Sequence, residues 1–275
     1  MARLPEISVI APLHNESGNV QPLASQIAEA MEKTGRPFEI VLVDDASSDD
    51  TWLRVKQLCG IDAHVHGIRH LRNAGQSAAL WTGFRNSRGQ IIATLDGDLQ
   101  NDPADFPRML EELNTCDMVC GWRTKRADNF QRRISSKVAR KARKLMLGVD
   151  FADTGCNLRV FKRELLDHLP IFNGLHRFMP VLAHGFGAKV KEIPVQHHPR
   201  HSGVSNYGLG NRLFRGIRDL FMVRWYLRRQ IPRLQVERFS GDESAMVSAP
   251  GTNADVGPGR TAEVVPVEYS EATNR

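Results

Sequence analysis

Short apolar runs alternate with helical patterns along the first half of the chain, and this alternation limits the fold more than any other feature. The runs "ISVIAPLHNE", "FEIVLVDDASSDDT" and "IIATLDGDLQNDP" each indicate a buried strand that ends in polar residues. Between the first two runs, Val20, Leu23, Ile27 and Met31 have the spacing of one helix face. Strands and helices in this order predict a parallel sheet that is covered by helices on both faces.

The same alternation continues further along the chain. We predict strands near 64–70 and over 91–95, and helices over 76–87 and 103–113. The segments "DMVCGWR" and "AKVKEIPVQHHPR" predict two later strands, and "TGCNLRVFKRELL" predicts a strand or turn followed by a helix. The expected fold class is therefore α/β, with a mostly parallel sheet flanked by helices.

Size and composition are those of a globular protein. With 275 residues, of which 41% are hydrophobic and 25% charged, the chain can form one large α/β domain or two small ones. The first residues lack the long apolar stretch of a secretory signal, so we expect a cytoplasmic protein. The cysteines lack paired CxxC spacing, which favours free thiols over disulfides or zinc: Cys59, Cys116, Cys120 and Cys156.

Charge is distributed unevenly along the sequence. The net charge is +6, and the basic residues gather at 123–144 and 200–229, which favours anionic partners. The stretch 131–144 contains no aromatic residue on which a base could stack, so nucleic acid is not an expected partner. Residues 238–275 are rich in small and polar side chains, and we predict a disordered tail there.

Two pairs of carboxylates follow predicted strands. Asp44 and Asp45 come after the second strand, and Asp96 and Asp98 come after the strand over 91–95. Parallel strands of such a sheet end at one edge, where ligands bind, so the two pairs are expected in one crevice. Like charges this close repel each other strongly in a medium of intermediate dielectric constant, which calls for a counter-charge.

Paired carboxylates after a strand have three uses, namely a hydrolytic acid/base pair, a divalent metal site, or a helix cap. Asp102 before Pro103 fits a cap, because proline favours the first position of a helix. Asp96 and Asp98 are two residues apart on an extended stretch, and Gln100 continues the same side. Such oxygen ligands suit Mg²⁺ or Mn²⁺, which are commonly held by one or two carboxylates together with substrate phosphates.

A metal-bound diphosphate suggests a nucleotide, yet the usual phosphate loops are missing. The sequence has no GxxxxGK[ST] loop and no GxGxxG after a strand, which argues against P-loop NTPases and dinucleotide dehydrogenases. Five motifs in order, "APLHNE", "VDDASSDDT", "NAGQSAALWTGF", "LDGDLQNDP" and "TGCNLRVFKRE", resemble the family 2 glycosyltransferases of GT-A fold. Within that family they resemble the dolichyl- and polyprenyl-phosphate sugar synthases, including mannose synthases, over roughly residues 6–210.

The resemblance implies a donor site. It places the nucleotide on two loops, with these residues: Pro12, Asn15, Glu16, Asp44 and Asp45. It places Mg²⁺ or Mn²⁺ on Asp96, Asp98 and Gln100, bridging the donor diphosphate. Capping of the loop by Asp44 and Asp45 is the structural alternative.

The resemblance also implies an acceptor site built around basic residues. Arg123 and Arg200 are expected to contact phosphates in catalysis, and four further residues to bind the acceptor phosphate: Arg126, Arg132, Arg133 and Ser205. Asn206 stands where relatives often carry lysine, so one cation is missing. Asp153 is a candidate base, although a phosphate acceptor with a second pKa near 6 can attack without one. His176 and Arg177 lie either near the acceptor or in the packing.

The route to a lipid is expected to be a helix on the membrane surface. The most apolar late stretch, "LFRGIRDLFMVRWYL", is interrupted by arginines and is too short and too charged for a span of about 20 apolar residues. It predicts a basic amphipathic helix, with Leu213, Ile217, Leu220 and Phe221 on one face and with Trp225 and Tyr226 at the headgroups. Packing of this helix on the protein's own core is the alternative.

These observations define an expected organisation and activity. Residues 1–210 form the catalytic domain, 211–237 the interfacial helical segment, and 238–275 the tail. The expected activity is inverting, metal-dependent transfer of a sugar from a nucleotide donor to a polyprenyl phosphate on the cytoplasmic membrane face. GDP-mannose is the first choice of donor. A separate membrane-anchoring protein is one further partner that this interpretation allows.

Three alternatives stay open. One is a related glycosyltransferase that uses UDP-glucose, an amino sugar or a saccharide acceptor. Processive synthases carry QxxRW, where this chain has "FMVRW" with Phe221 in the glutamine position. The others are a nucleic-acid binder and a scaffold without activity, against which the intact Asp96, Asp98 and Gln100 argue.

Overall fold

A seven-stranded sheet forms the centre of the computed structural model, which describes residues 4–124, 143–199, 209–229, 235–237 and 264–266. The strands of this sheet are β1 (Ile7–Leu13), β2 (Phe38–Asp44), β3 (Val65–Arg69), β4 (Ile91–Thr94), β5 (Met118–Arg123), β6 (Arg159–Lys162) and β7 (Val190–Val195). The α-helices described with it are α1 (Val20–Glu32), α2 (Thr51–Ile61), α3 (Gln76–Asn86), α4 (Phe106–Glu112), α5 (Leu175–Gly185) and α6 (Leu209–Arg228). Short 3₁₀ segments cover Pro103–Asp105, Leu113–Thr115 and Arg163–His168.

The strand order is β3-β2-β1-β4-β6-β5-β7, and the sheet is mostly parallel as predicted. Strand β1 runs parallel to β2 and β4, β2 parallel to β3, and β5 parallel to β7. Strand β6 runs antiparallel to both β4 and β5, with Thr94 opposite Arg159. The ends of β1, β2, β4 and β5 and the start of β6 therefore meet at one edge of the sheet.

The apolar runs become strands because the sheet is buried on both faces. Every residue of β2 is buried, which is the pattern of a strand inside a parallel sheet. Side chains alternate between two core layers: Val9 and Leu42 belong to one layer, and Ile10 and Val41 to the other. The predicted inner face of α1 is confirmed by the burial of Val20, Leu23, Ile27 and Met31.

Helix α5 was not predicted from the sequence, because it contains Pro180 and follows Gly174. Its buried side chains, including Phe178 and Leu182, pack in the core with β5 and α3 residues and outweigh the proline. A residue with a backbone N–H at position 180 would donate to the carbonyl of His176 in the preceding turn. In this protein Arg159 Nη1 donates to that carbonyl instead, at 2.5 Å.

Helix α6 packs on the same unit as the sheet, which runs from Met1 to Arg229. Its inner side chains Leu220 and Val223 are buried, whereas Phe221 and Trp225 are more than half exposed. The expectation that Leu220 and Phe221 share a face is therefore wrong. Tyr226 is partly buried and packs against the core, with its ring 6.1 Å from that of Phe186. The side chains of Leu213 and Ile217 lie outside the described part of the chain.

A second unit runs from Gln230 to Arg275. Its described residues form an antiparallel pair of strands, β8 (Gln235–Glu237) and β9 (Val264–Pro266). The other residues of the predicted tail, 238–275, lie outside the described residues. Our division of the chain at 210 and 237 stays a prediction. Among the helices of the described ranges, none combines the length and hydropathy needed to cross a membrane.

Candidate active site

The loops after β1 and β2 are tied together at the carboxyl edge of the sheet. Asn15 has a positive φ of 57°, its N–H donates to Ser47 Oγ at 2.9 Å, and its Oδ1 accepts from the Ser48 N–H at 2.8 Å. The Glu16 N–H donates to Thr51 Oγ1 at 2.9 Å. Three of the predicted nucleotide residues, Pro12, Asn15 and Glu16, thus lie at or just beyond the end of β1.

Asp44 is fully buried at the end of β2. Its Oδ1 accepts from the Ser47 N–H at 3.2 Å, and its Oδ2 lies 3.1 Å from Arg69 Nε. That second contact is an ion pair without hydrogen-bond geometry, so Oδ2 has no hydrogen-bond donor among the described residues. Arg69 also covers the ring of Trp52 at 5.9 Å.

Asp45 is buried and accepts hydrogen bonds from the loop that leads to α3. Its Oδ1 pairs with His70 Nδ1 at 2.7 Å and accepts from the Ala74 N–H at 2.9 Å, and its Oδ2 accepts from the Gly75 N–H at 2.7 Å. Its carboxylate is therefore used within the protein, as in the loop-capping alternative. Its predicted contact with the nucleotide stays a prediction, and the geometry favours an indirect effect through residues 70–75.

Asp96 and Asp98 lie on the loop after β4, as the sequence predicts. Asp96 Oδ1 accepts from Gln76 Nε2 at 2.6 Å and from Asn157 Nδ2 at 2.9 Å. The buried Asp98 accepts from the Gln100 N–H at 3.3 Å. Glycine is required at position 97, because a Cβ atom there would lie 2.9 Å from the carbonyl oxygen of Pro12.

The electrostatics of this loop fit a divalent cation. Desolvation, together with the charge of Asp98, raises the pKa of Asp96 to about 6. Two carboxylates and the amide of Gln100 are the oxygen donors that Mg²⁺ and Mn²⁺ prefer. Within the described ranges no three His, Cys, Asp or Glu side chains converge to hold a metal ion. The remaining ligands would therefore come from Gln100, water and the substrate.

Arg123 and Asp153 form a bidentate ion pair at the end of β5. Arg123 Nε and Nη2 lie 2.7 and 3.0 Å from the two oxygens of Asp153. Glu192 on β7 accepts from the N–H groups of Ala152 and Asp153 at 2.8 and 3.1 Å, which fixes this loop. Burial lowers the pKa of Arg123, but Asp153 more than compensates and raises it overall. The positive charge at this position is therefore permanent.

A match to a protein-family description decides the identity of the chain: Glycosyl transferase family 2 matches residues 8–169, more than half of the sequence. The chain belongs to glycosyl transferase family 2. A dodecaprenyl-phosphate galacturonate synthase of Rhizobium johnstonii is 38% identical over 229 residues, which are 81% of this chain and 68% of that protein. An undecaprenyl-phosphate 4-deoxy-4-formamido-L-arabinose transferase of Aeromonas hydrophila is 33% identical over 205 residues, or 74% of this chain and 63% of that protein. The chain thus spans about two thirds of the length of these relatives.

Solved structures show the same fold. Glucosyl-3-phosphoglycerate synthase of Mycobacterium tuberculosis, in complex with Mn²⁺, UDP and glucosyl-3-phosphoglycerate, has a TM-score of 0.60 at 19% identity and covers 86% of this chain and 85% of its own. A mannosyltransferase of Pyrobaculum calidifontis, in complex with GDP-mannose and Mn²⁺, has a TM-score of 0.55 at 21% identity, with 84% and 66% covered. The GT-A fold that the sequence motifs implied is confirmed.

Several residues of this family 2 glycosyltransferase that lie around Asp96 and Arg123 were not found by sequence reasoning. Gln76 and Asn157 lie within motifs that we quoted, but only the structure shows that both hold Asp96. Arg159 is 1% exposed, and its charge counteracts the rise in the pKa of Asp96. His197 pairs with Asn101 across an isolated bridge, and its Nδ1 is buried without a hydrogen-bond partner in the described part of the chain. Burial lowers the pKa of His197, and the positive charge of Arg123 lowers it further.

His176 of this family 2 enzyme lies on α5 and contacts Ser77 of α3. Its Nδ1 lies 2.7 Å from Ser77 Oγ, which also accepts from the Gly174 N–H at 2.9 Å. Ser77 therefore donates its own proton to His176. Burial, with Arg159 and Arg177 nearby, lowers the pKa of His176 to about 3, so the ring is neutral.

Of the remaining predictions for this glycosyltransferase, some concern described residues and the others concern residues outside the described part of the chain. The cap prediction for Asp102 is confirmed, because its side chain accepts from the Ala104 N–H at the start of the 3₁₀ turn. All four cysteines are free, and burial raises the pKa of Cys120 to about 12. The other predicted phosphate ligands lie outside the described residues: Arg126, Arg132, Arg133, Arg200 and Ser205.

Proposed function

We propose that this chain transfers a sugar from a nucleoside-diphosphate donor to a polyprenyl phosphate. The observation that supports the proposal is that the carboxylates of Asp96 and Asp98, the proposed cation ligands, and the fixed guanidinium of Arg123 lie at one edge of the sheet. Strand β6 lies between β4 and β5 and runs antiparallel to both, so the loop of Asp96 after β4 and Arg123 at the end of β5 lie at the same edge of the sheet. Both named relatives are polyprenyl-phosphate enzymes, which supports this acceptor.

The sugar is proposed to differ from mannose. The names of the two relatives specify galacturonate and 4-deoxy-4-formamido-L-arabinose, so GDP-mannose, our first choice from the sequence, has no support from them. They favour the alternative of another donor in cell-envelope glycan synthesis. Because a polyprenyl phosphate is a membrane lipid, the reaction places the chain at a membrane surface.

The donor would bind with its diphosphate at the loop after β4. Asp96, Asp98 and Gln100 would hold Mg²⁺ or Mn²⁺, which supplies Lewis-acid stabilisation of the charge on the leaving diphosphate. Gln76 and Asn157 keep Asp96 in place by donating to one of its oxygens. Arg123, held by Asp153, provides a fixed positive charge that would bind the acceptor phosphate.

The acceptor phosphate is proposed to be the nucleophile. One of its oxygens forms a bond to the anomeric carbon as the bond from that carbon to the donor diphosphate breaks, with inversion of configuration. The products are the polyprenyl-phosphate sugar and the nucleoside diphosphate. A phosphate monoester is largely dianionic at pH 7, so the step releases no proton that a base must remove. Asp153, whose oxygens are engaged by Arg123, is therefore better suited to positioning than to proton transfer.

A direct assay tests this function. Radiolabelled sugar is supplied as UDP-galacturonate, UDP-glucose, UDP-N-acetylglucosamine or GDP-mannose, with undecaprenyl phosphate in detergent, in the presence of Mn²⁺, Mg²⁺ or a chelator. We expect metal-dependent formation of a lipid-linked sugar with one of the UDP donors. Product on a saccharide acceptor but not on the lipid phosphate would overturn the proposal.

A further inference from the structure

The start of strand β6 lies between the two phosphate sites of the proposed reaction. In the sheet order, β6 stands between β4, which leads into the cation loop of Asp96, and β5, which ends at Arg123. Neighbouring strands are about 4.8 Å apart, so β4 and β5 are separated by about 10 Å. When the acceptor phosphate displaces the donor diphosphate, the anomeric carbon lies between the two phosphate groups. This order leaves the start of β6 as the place for the sugar.

Asn157, in the loop directly before β6, has a fixed side-chain orientation and an amide oxygen without a partner. Its Nδ2 donates to Asp96 Oδ1 at 2.9 Å, and its backbone carbonyl accepts from Thr94 Oγ1 at 2.7 Å. The residue is 6% exposed, and its Oδ1 is buried without a donor among the residues that the structure describes. A buried acceptor without a donor is unfavourable, so this oxygen is suited to a hydrogen-bond donor on a ligand.

His176 supplies a hydrogen-bond donor at the same edge of the sheet. Arg159, the first residue of β6, donates to its carbonyl, and Ser77, the second residue of α3, donates from Oγ to its Nδ1 over 2.7 Å. The neutral ring therefore carries its proton on Nε2. His176 is partly exposed, and within the described ranges no group accepts from Nε2. This N–H group is thus fixed in direction and open to a ligand.

We propose that Asn157 and His176 bind the sugar ring of the donor through its hydroxyl groups and so select which sugar is transferred. A hydroxyl group both donates and accepts, so hydroxyls of one ring can donate to Asn157 Oδ1 and accept from His176 Nε2. Both protein groups are held in place before the sugar binds. A sugar that lacks the matching hydroxyl leaves them unpaired, which is how a polar pocket rejects an analogue.

Gln76 is the comparison residue for this role. Its Nε2 also donates to Asp96 Oδ1, at 2.6 Å, but it comes from α3 and not from the loop before β6. Loss of Gln76 should therefore disturb Asp96 without removing a contact to the sugar. The role of Asn157 and His176 rests on the proposed function, because the sugar is that of the proposed nucleotide donor.

Donors that lack one hydroxyl group test Asn157. Transfer by the full chain is measured with the nucleotide sugar that the wild type uses and with its deoxy analogues, one ring position at a time. For one analogue we expect kcat/KM of the wild type to fall by about tenfold, as for one lost hydrogen bond. In Asn157→Ala the same analogue should cause no further fall. Gln76→Ala should lower kcat/KM for all donors alike and keep the tenfold difference. Equal falls in Asn157→Ala and the wild type with every analogue would overturn the contact.

Two substitutions of His176 separate its ring nitrogens. His176→Asn places an amide oxygen near the position of Nδ1, which keeps the contact with Ser77 and removes the Nε2 donor. His176→Gln places an amide N–H near the position of Nε2. We expect His176→Asn to lose about tenfold in kcat/KM with unchanged affinity for Mn²⁺ and UDP, and His176→Gln to regain part of that loss. Equal losses in the two variants, with folding checked by circular dichroism and thermal melting, would show that the ring acts only through packing.

Nucleotide binding separates failure of the sugar contacts from failure of the proposed function. Calorimetry with Mn²⁺ compares UDP with UDP-galacturonate, UDP-glucose and UDP-N-acetylglucosamine, and GDP with GDP-mannose. If the wild type transfers no sugar but binds one nucleotide sugar more tightly than its nucleotide, and Asn157→Ala and His176→Asn remove that difference, the function fails and the sugar contacts stand. If both variants transfer as well as the wild type, the contacts fail and the function stands. A wild type that neither transfers a sugar nor distinguishes any nucleotide sugar from its nucleotide would refute both.

Discussion

Asp96 shows how much of the site depends on one side chain and its immediate neighbours. Its Oδ1 accepts from Gln76 and Asn157, its pKa is raised to about 6, and Arg159 and Arg123 partly offset that rise. A carboxylate next to Asp98 is unfavourable by itself. This arrangement is consistent with a site that is completed by a cation.

Substitution of Asp98 tests the cation site. Asp98→Asn removes one charged ligand and should weaken Mn²⁺ binding in the presence of UDP by about tenfold or more, with loss of sugar transfer. Mn²⁺ binding is followed by electron paramagnetic resonance, which reports the metal independently of activity. Asp102→Asn is the matched control from the same loop, because asparagine also caps a helix. Unchanged Mn²⁺ affinity in a folded Asp98→Asn variant would contradict the assignment.

Substitution of Asp153 separates positioning of Arg123 from proton transfer. Asp153→Asn keeps the shape but removes the charge that fixes Arg123, and we expect KM for the acceptor to rise by about tenfold with a smaller fall in kcat. A catalytic base would instead lower kcat strongly and remove the acidic limb of the pH–rate profile. Glu192→Gln, which alters the support of the same loop, should show a milder form of the KM effect.

Packing between elements decided features that no single segment reveals. Pro180 removes the N–H that would donate to the His176 carbonyl within α5, and Arg159 from β6 fills that place while its Nη2 donates to Thr154 at 2.9 Å. Strand β6 can deliver Arg159 there because it runs antiparallel between β4 and β5, so its first residue lies at the active edge. The buried Arg159 on β6 thus supplies the hydrogen bond that Pro180 on α5 cannot make.

A double-mutant cycle measures the energetic coupling between Pro180 and Arg159. Arg159→Met removes the donor to the carbonyls of His176 and Thr154 and should lower the free energy of unfolding by about 3 kcal/mol, as is typical for lost buried polar partners. Pro180→Ala restores an N–H that can donate to the His176 carbonyl. The double variant should therefore be more stable than additivity predicts, as measured by urea unfolding. Strictly additive changes would show that Pro180 and Arg159 act independently.

The stability of the folded chain should depend on pH through His176. Its pKa is lowered to about 3 by burial and by Arg159 and Arg177, whereas in the unfolded chain it has its ordinary value of 6.5. Below pH 6.5 the unfolded chain binds a proton that the folded chain does not, so stability falls as pH falls toward 3. The slope from this group approaches about 1.4 kcal/mol per pH unit.

Urea unfolding of wild type and variants from pH 4.5 to 7.5 checks this dependence. His176→Asn should flatten the fall in stability on the acidic side, because it removes the group that titrates. His184→Asn, at an exposed position of the same helix, is the control and should leave the slope unchanged. Parallel pH curves for the wild type and His176→Asn would refute the role of this histidine.

For the chain as a whole, local pattern was enough to predict the architecture. Buried strands β1, β2 and β4, the inner face of α1 and the acidic loops at Asp44 and Asp96 follow from apolar runs and their polar ends. These features depend on neighbours in sequence, and the rules for parallel sheets then place the loops at one edge. The cap at Asp102 was predictable for the same reason.

The sequence by itself determined the sheet, its active edge and the carboxylates that lie there, because periodicity and charge are local properties of the chain. Only the tertiary structure decided the partners of those carboxylates: Asn157 with Asp96, Asp153 with Arg123, and Asp45 with the loop before α3. It also decided which side of α6 is buried, since Asp219 pairs with Arg177 of α5 and Leu220 is buried while Phe221 is exposed. Such choices arise from contacts between residues 30 to 61 positions apart in the sequence, and local patterns carry no information about them.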